Sequence, residues 1–115
     1  MALVNFREND PKLEVHYFNM GNAYRYLDKF DESLMFYEKG LGIIQFNYRD
    51  DHPKLAPYYL NIGHVYKSKS KFNKALKYYK RSCDLNLNSL GVYNNNTLYS
   101  YHSLGTCYFQ LRIYV

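Results

Sequence analysis

The sequence predicts an all-α fold built from repeated pairs of antiparallel helices. Three observations predict it. A short segment recurs twice at one fixed interval, the apolar residues of each copy have helical spacing, and a short polar break divides each full copy into two apolar stripes. The alternation of apolar and polar residues that marks strands is missing. The 115 residues are enough for one domain at most.

The repeated segment reads YFNMGNAY at 17–24, YLNIGHVY at 59–66 and YHSLGTCY at 101–108. When residues 11–52 are set over residues 53–94 without a gap, 11 of the 42 positions are identical. Self-similarity at a fixed period indicates a repeat architecture. We predict this division of the chain: a tail of a preceding repeat (1–10), repeat 1 (11–52), repeat 2 (53–94) and the first helix of repeat 3 (95–115).

The first helix of each repeat, called the A helix, has apolar residues three and four positions apart, which gives one apolar face. In repeat 1 these are Leu13, Tyr17, Met20, Tyr24 and Leu27, and the equivalents in repeat 3 include Tyr101, Leu104 and Tyr108. Pro11 and Pro53 are expected just before or at the first turn, where proline costs no hydrogen bond. Asn95 or Asn96 is expected to cap the third A helix.

The second helix of each repeat, called the B helix, begins after the short polar break. Its apolar positions are Phe30, Leu34, Tyr37, Leu41 and Ile44 in repeat 1, and Phe72, Leu76, Tyr79 and Cys83 in repeat 2. Gly40 and Gly42 are expected to weaken the first B helix.

One glycine lies at the same position of every A helix: Gly21, Gly63 and Gly105. A glycine inside a helix costs about 0.5–1 kcal/mol relative to alanine, so three in register predict a close helix contact. The small residues Ser33/Ala75 and Gly40/Ser82 of the B helices are the expected other side of that contact.

These residues resemble the tetratricopeptide repeat, whose A helix carries an aromatic residue, Leu-Gly and then Tyr, and whose B helix alternates small and aromatic positions. Tyr17, Gly21, Tyr24, Ser33 and Tyr37 match that pattern in repeat 1. The repeat unit of 11–52 is longer than the usual unit of the family and is similar to the repeats of kinesin light chain and nephrocystin-3-like proteins. The resemblance implies a right-handed α-solenoid of about two and a half repeats, and a fragment of a longer array.

The resemblance also implies a concave groove, lined by successive A helices, that binds a peptide or helix of a partner protein within a larger scaffold or adaptor. Asparagine side chains suit a peptide backbone because they both donate and accept. The predicted groove residues are Phe18, Asn19, Asn22, Arg25, Leu60, Asn61, His64, Lys67 and His102. The lysine and basic residues of the family's carboxylate clamp are replaced by Phe18, Tyr99 and Ser103, so that ligand is not predicted.

Seven basic residues and no acidic one lie between Lys67 and Arg81. Lys74, Lys77 and Arg81 share one helical face, here called the basic face. A solvated outer surface explains it, and the net charge of +5 alone does not favour nucleic acid. Binding of RNA or an anionic surface through the basic face remains an alternative function, as does a regulatory arm of a larger enzyme.

Residues that carry chemistry are sparse. The four histidines form no pair four residues apart, and Cys83 and Cys107 form no C-x-x-C, so neither a metal nor a cofactor is predicted. No catalytic signature is found, and the chain is predicted not to be an enzyme. No apolar run spans a membrane. We expect a cytoplasmic location, with cytoskeletal or ciliary association as a refinement, and self-association through the exposed third A helix.

Overall fold

The structure is a computed structural model that describes residues 9–114, with side chains through residue 113. Over those residues it contains helices and no strand, which confirms the all-α prediction. The helices are α1 (Pro11–Tyr26), α2 (Phe30–Asn47), α3 (Leu55–Ser68), α4 (Phe72–Leu90) and α5 (Asn95–Tyr114). The A helices are therefore α1, α3 and α5, and the B helices are α2 and α4.

The chain forms two compact units, with α1 and α2 in the first and α3, α4 and α5 in the second. The first unit ends at His52 and the second begins at Pro53. The predicted repeat boundaries and the right-handed sense of a solenoid stay predictions. The predicted tail over residues 1–10 lies, apart from Asn9 and Asp10, outside the described residues.

Helices α1 and α5 begin with a side-chain cap, whereas α2, α3 and α4 have no side-chain cap hydrogen bond. Pro11 is the first residue of α1, and the Asp10 side chain accepts a hydrogen bond from the Lys12 backbone N–H at 2.9 Å. The predicted cap of α5 was wrong. Asn94, not Asn95 or Asn96, accepts from the Asn96 N–H at 2.8 Å, because a cap residue must precede the first helical turn.

Both polar breaks are tight turns of one kind. Asp28 and Ser70, at equivalent positions of the two repeats, have φ angles of 57° and 60°, in the left-handed region. The next residue then bonds back into the preceding helix: the Lys29 N–H donates to the Tyr24 carbonyl at 2.9 Å, and the Lys71 N–H to the Tyr66 carbonyl at 2.8 Å. This closure satisfies carbonyls at the end of the A helix and reverses the chain within a short turn.

Helix α2 continues through both of its glycines, and its 18 residues end at Asn47. The expected weakening therefore does not shorten it. Tertiary packing accounts for this, since Gly40 and the following Ile43 and Ile44 are buried.

The predicted apolar stripe is buried more completely in α3 than in α1. Leu55, Tyr59 and Ile62 of α3 are buried. In α1, Met20, the equivalent of Ile62, is 41% exposed, and Leu27, which follows the helix, is 66% exposed. Within the second unit α3 contacts both α4 and α5.

The glycine of each complete helix pair lies under a tyrosine ring of its B helix. A Cβ atom added at Gly21 would be 2.5 Å from the Tyr37 ring, and one added at Gly63 would be 2.7 Å from the Tyr79 ring. Both rings are fully buried. The close contact predicted from the glycines is present, but the residue that covers the glycine is the large tyrosine rather than a small one.

The small residues of the B helices have a different role. The Ser33 hydroxyl donates to the Gly21 carbonyl at 2.7 Å, and the Ser82 hydroxyl donates to the Ala56 carbonyl at 2.9 Å. Both serines are completely buried, and a buried hydroxyl needs such a partner. These bonds tie the backbone of the A helix to the B helix.

A second set of aromatic contacts repeats on the opposite side of each pair. In the first unit Phe36 of α2 lies between Tyr17 and Tyr24 of α1, with ring centroids 6.2 and 5.4 Å away. In the second, Tyr78 of α4 lies between Tyr59 and Tyr66 of α3, at 6.0 and 5.6 Å. We call this arrangement the aromatic ladder. Stacked and tilted ring pairs add to the apolar burial that joins the helices.

The two cysteines are buried thiols. Burial raises the pKa of Cys83 to about 11, and the nearby Asp84 carboxylate adds to the shift. Burial also raises the pKa of Cys107, against the opposing charge of Lys67. Both thiols therefore stay protonated in the folded chain at neutral pH.

We predict that neither thiol reacts with a water-soluble disulfide reagent at pH 8 while the chain is folded, because the thiolate is the reactive form. Both should react at once in guanidinium chloride. Because the folded pKa of Cys83 lies above the ordinary value of 9.0, its contribution to stability is complete below pH 9 and is lost between pH 9 and about 11. Rapid labelling of the native chain at pH 8 would contradict this assignment.

Among the described residues, no helix combines the length and apolar character that crossing a membrane requires.

Candidate functional site

Three of the four groove residues predicted on α1 surround one core tyrosine. The Tyr37 hydroxyl donates to the Asn22 Oδ1 atom, and the Arg25 Nε–H donates to the same hydroxyl at 3.2 Å. The Phe18 and Tyr37 ring centroids are 6.0 Å apart. Asn22 and Arg25 thus satisfy a hydroxyl at the edge of the core, while Asn19 is exposed on the helix surface.

Burial raises the pKa of Tyr37, and the hydrogen bond from Arg25 opposes that rise in part. The Arg25 guanidinium is half-buried and also lies over the Tyr26 ring, with Cζ 4.7 Å from the centroid. Such an arginine has little freedom to turn toward a ligand. In the structure it donates a hydrogen bond to the Tyr37 hydroxyl at the edge of the core.

In the second unit His64 joins the core to the surface. Its Nδ1 atom is 2.7 Å from the Tyr79 hydroxyl, and its Nε2 atom is 3.3 Å from the Tyr99 hydroxyl. A neutral imidazole has one donor and one acceptor nitrogen, so both contacts suit a single tautomer. Tyr79 belongs to α4 and Tyr99 to α5, so this chain of side chains links all three helices of the unit.

Asn61, Lys67 and Leu60 of α3 are half-buried, whereas His102 of α5 is exposed. The Asn61 amide donates to the Pro57 carbonyl one turn earlier, at 2.8 Å. Leu60 packs at the edge of a core cluster that contains Tyr79. The histidine predicted on α5 is therefore the most accessible of the predicted groove residues in this unit.

A cavity of about 130 Å³ opens between these helices, lined by Pro57, Leu60, Asn86, Asn96 and Tyr99. Its floor is ordered by a polar network in which the buried Asn86 amide donates to the Ser100 hydroxyl at 2.7 Å. Tyr99, at 51% exposed, forms the outer wall. The cavity offers an apolar recess beside polar groups, which suits one side chain of a bound peptide.

Sequence reasoning missed Tyr99, Asn86 and Asn96 as members of the site. A signal for Tyr99 was available, because it lies three positions before His102 and so shares its face of the helix. Asn86 carried no such signal. It belongs to a B helix, and only the packing of α4 against α5 brings it to the cavity. The joint row of groove residues along all three A helices stays a prediction.

Two residues of the basic face, Lys74 and Arg81, lie over tyrosine rings. The Lys74 Nζ atom is 5.3 Å from the Tyr66 ring centroid, and the Arg81 Cζ atom is 4.4 Å from the Tyr59 ring centroid. Lys39 lies over Tyr17 in the same way, at 5.7 Å, and is the equivalent of Arg81 in repeat 1. These cation–π contacts explain part of the basic face without a ligand.

Within residues 9–114, no three His, Cys, Asp or Glu side chains come together as metal ligands would. The predictions that the chain binds no metal and is not an enzyme stay predictions.

The comparison with protein families decides the family. The family model described as tetratricopeptide repeat matches residues 13–88. The chain belongs to the tetratricopeptide repeat family. This confirms the resemblance drawn from the repeated tyrosines and glycines, and with it the helical-repeat class of the fold. The tetratricopeptide repeat is in general a non-catalytic protein-interaction unit.

Among solved structures, the tetratricopeptide repeat chain is similar to BtubC (BKLC) from P. vanneervenii, a kinesin-light-chain-like repeat protein. The TM-score is 0.80 at 25% sequence identity, over 88% of this chain. The chain spans 40% of the length of that protein. No curated protein matches this sequence.

Proposed function

We propose that this tetratricopeptide repeat chain binds an extended segment of a partner protein along the A helices of its second unit. The anchoring point is the cavity lined by Pro57, Leu60, Asn86, Asn96 and Tyr99, here called the α3–α5 cavity. The observation that carries the proposal is the recess between Leu60 and Tyr99, which is also lined by the amide side chains of Asn86 and Asn96. A partner side chain of moderate apolar size fits a cavity of about 130 Å³. Asn61 and Asn96 supply donors and acceptors for the partner's backbone.

The rigidity of the site supports this proposal. Two lining side chains have partners within the unit: Asn86 donates to the Ser100 hydroxyl, and the Tyr99 hydroxyl is 3.3 Å from His64 Nε2. A preformed site lowers the conformational entropy that binding must otherwise lose. In the first unit, Asn19 is the accessible member of the four groove residues predicted on α1, and the other three are in supporting positions around Tyr37.

The test uses peptides selected from a random library against the wild-type chain, with affinities then measured by calorimetry. We expect the double variant Tyr99→Ala, His102→Ala to bind at least about tenfold more weakly, the loss expected when central aromatic contacts are removed. Both side chains are exposed, but Tyr99→Ala removes the contact with His64, so the circular dichroism spectrum of the variant is compared with that of the wild type before the affinities are compared. His64→Ala is a poor probe because it also removes the partner of the Tyr79 hydroxyl.

The matched control is Lys77→Ala, an exposed residue of α4 on the basic face. It should leave the affinity within about twofold, since surface substitutions outside a site have small effects. Equal weakening by both variants, or by neither, would refute the assignment of the cavity as the anchoring point.

The RNA alternative gives a different result. If the basic face binds RNA, the triple variant Lys74→Glu, Lys77→Glu, Arg81→Glu should abolish RNA binding. The affinity of the wild-type chain for RNA should then fall steeply with salt. Peptide binding in a mostly apolar recess should depend weakly on salt. We also propose a cytoplasmic location, cytoskeletal or ciliary association, and a place in a larger scaffold, adaptor or enzyme. A partner protein that contains the selected peptide sequence would test these proposals.

A further inference from the structure

The charge of the chain is unevenly divided between its two compact units. The first unit, which ends at His52, contains nine acidic and six basic residues. The second unit, which begins at Pro53, contains nine basic residues and a single acidic one, Asp84. The net charge of +5 therefore combines a negative unit with a strongly positive one.

The exposed sides of the two B helices carry opposite charges. In α4 the basic face is exposed, and Lys80 adds a fourth exposed base. In α2 the repeat equivalents of Lys74 and Lys80 are Glu32 and Glu38, which are exposed as well. We call Asp31, Glu32 and Glu38 the acidic face. Two helices of 18 and 19 residues thus present carboxylates and ammonium groups at equivalent positions.

The acidic face is compact. Asp31, Met35 and Glu38 are four and three residues apart, so they share one side of α2. Met35 is 45% exposed and places an apolar side chain between the carboxylates. Within residues 9–114, neither Glu32 nor Glu38 takes part in an ion pair. Cations of another molecule can therefore reach both carboxylates without breaking an existing ion pair.

The basic face keeps its charge although two of its members contact rings. Lys74 lies over Tyr66 and Arg81 over Tyr59, and a tyrosine ring attracts a cation without carrying a net charge. These contacts restrict the two side chains and leave their positive charges at the exposed surface of α4. Less side-chain freedom then remains to be lost when the face meets a partner.

We propose that the acidic face of one copy of the chain binds the basic face of a second copy. Each copy carries one face of each kind, so a pair or a longer assembly can form. Complementary charges attract the copies and fix which surfaces meet. An exposed ion pair contributes at most about 1 kcal/mol and is screened by salt, so the association is weak and depends on several pairs. The contact uses neither α5 nor the α3–α5 cavity, and it does not depend on the peptide-binding proposal.

The experiment is sedimentation equilibrium of the whole chain at about 10 mM and about 1 M salt, where the Debye length falls from about 30 Å to about 3 Å. The acidic-face variant is Glu32→Lys, Glu38→Lys, and the basic-face variant is Lys74→Glu, Lys77→Glu, Arg81→Glu. Each variant is measured alone and in an equimolar mixture with the other. Circular dichroism checks that each one is folded.

We expect the wild-type chain to associate at low salt and to be monomeric at high salt. Each variant alone should associate at least about tenfold more weakly, because its two faces then carry charge of the same sign. The mixture should restore association, since one variant supplies basic faces and the other acidic faces. A folding defect could not produce that recovery.

The matched control is Asp50→Lys, Asp51→Lys, which changes the net charge as much as the acidic-face variant does, at two exposed residues outside both faces. It should associate like the wild type. An equal loss in this control would overturn the proposal, because net charge alone would then govern association.

Three other results would overturn the proposal. One is a wild-type chain that stays monomeric at low salt, and another is a mixture of the two variants that does not associate. Association that persists at high salt would assign the contact to apolar surfaces instead. RNA binding by a monomeric wild-type chain, lost in the basic-face variant, would accompany the first result if the basic face serves nucleic acid. The Tyr99→Ala, His102→Ala protein should associate normally, which separates this test from that of the groove.

Discussion

Replacing Tyr79 by alanine is expected to lower the free energy of unfolding by about 3–5 kcal/mol, the range for truncating a large buried aromatic side chain. Tyr79 has no exposed surface, its ring covers Gly63, and it belongs to the core cluster of α4 and α5. Urea denaturation followed by far-ultraviolet circular dichroism measures the loss. We expect this loss of stability in the unfolding transition of the second unit, to which Tyr79 belongs.

Tyr79→Phe separates the ring from the hydroxyl. The phenylalanine keeps the contact with Gly63 and loses the hydrogen bond to His64, so we expect a cost of about 1 kcal/mol. A Phe variant as unstable as the Ala variant would show that the polar link to His64, rather than ring packing, holds α4 against α3.

Gly63→Ala is expected to destabilise the chain although alanine is the better helix former. The added methyl group would be 2.7 Å from the fully buried Tyr79 ring, so the ring or the helix would have to shift. We expect overpacking of about 1–3 kcal/mol to exceed the gain of about 0.5–1 kcal/mol from helix propensity. The measurement is again the free energy of unfolding in urea.

Gly105→Ala is the internal control, because it makes the same chemical change at the equivalent position of α5. Its methyl group would meet nothing within 4 Å, so the propensity gain of about 0.5–1 kcal/mol should appear as stabilisation. Opposite signs at the two glycines are the expected result. The same sign at both would mean that the tyrosine contact does not determine why glycine occupies these positions.

The two kinds of prediction share one physical basis. In each complete helix pair a B-helix tyrosine is fixed on its face by a glycine and at its hydroxyl by a polar side chain of the A helix. In the first unit that side chain is Asn22, and in the second it is His64. Histidine in place of asparagine keeps a hydrogen-bond partner for the tyrosine hydroxyl, and its second ring nitrogen also contacts Tyr99. Asn22 and His64, which are predicted groove residues, therefore also hold buried tyrosines in place.

Much of the fold was predictable because it depends on local patterns. Helical spacing around Tyr17 and Tyr24 places them on one face, the glycine at position 21 marks a close contact, and the fixed repeat interval transfers both features to α3 and α5. The cap of α5 was assigned too late in the chain, because three consecutive asparagines offer equivalent side chains. Which of them precedes the first turn is decided by where the helix begins.

The candidate site was less predictable. Periodicity identified His64 as a polar residue beside the stripe, but it did not show that both ring nitrogens are occupied. It also missed Asn86, whose position at the cavity depends on how α4 packs against α5. Likewise, the basic residues Lys74 and Arg81 are distributed like a solvated face, whereas their charges lie over tyrosine rings of α3.

The sequence by itself determined the helical class, the repeat interval and the tetratricopeptide pattern, because each follows from residue type and spacing along one chain. Only the tertiary structure decided which residue covers Gly63, which groups Arg25 and His64 contact, and which glycine remains uncovered. The physical reason is that these are contacts between helices. Helical spacing fixes the face on which a side chain lies, but the ring or hydroxyl that meets it comes from a helix whose depth and rotation are set by packing.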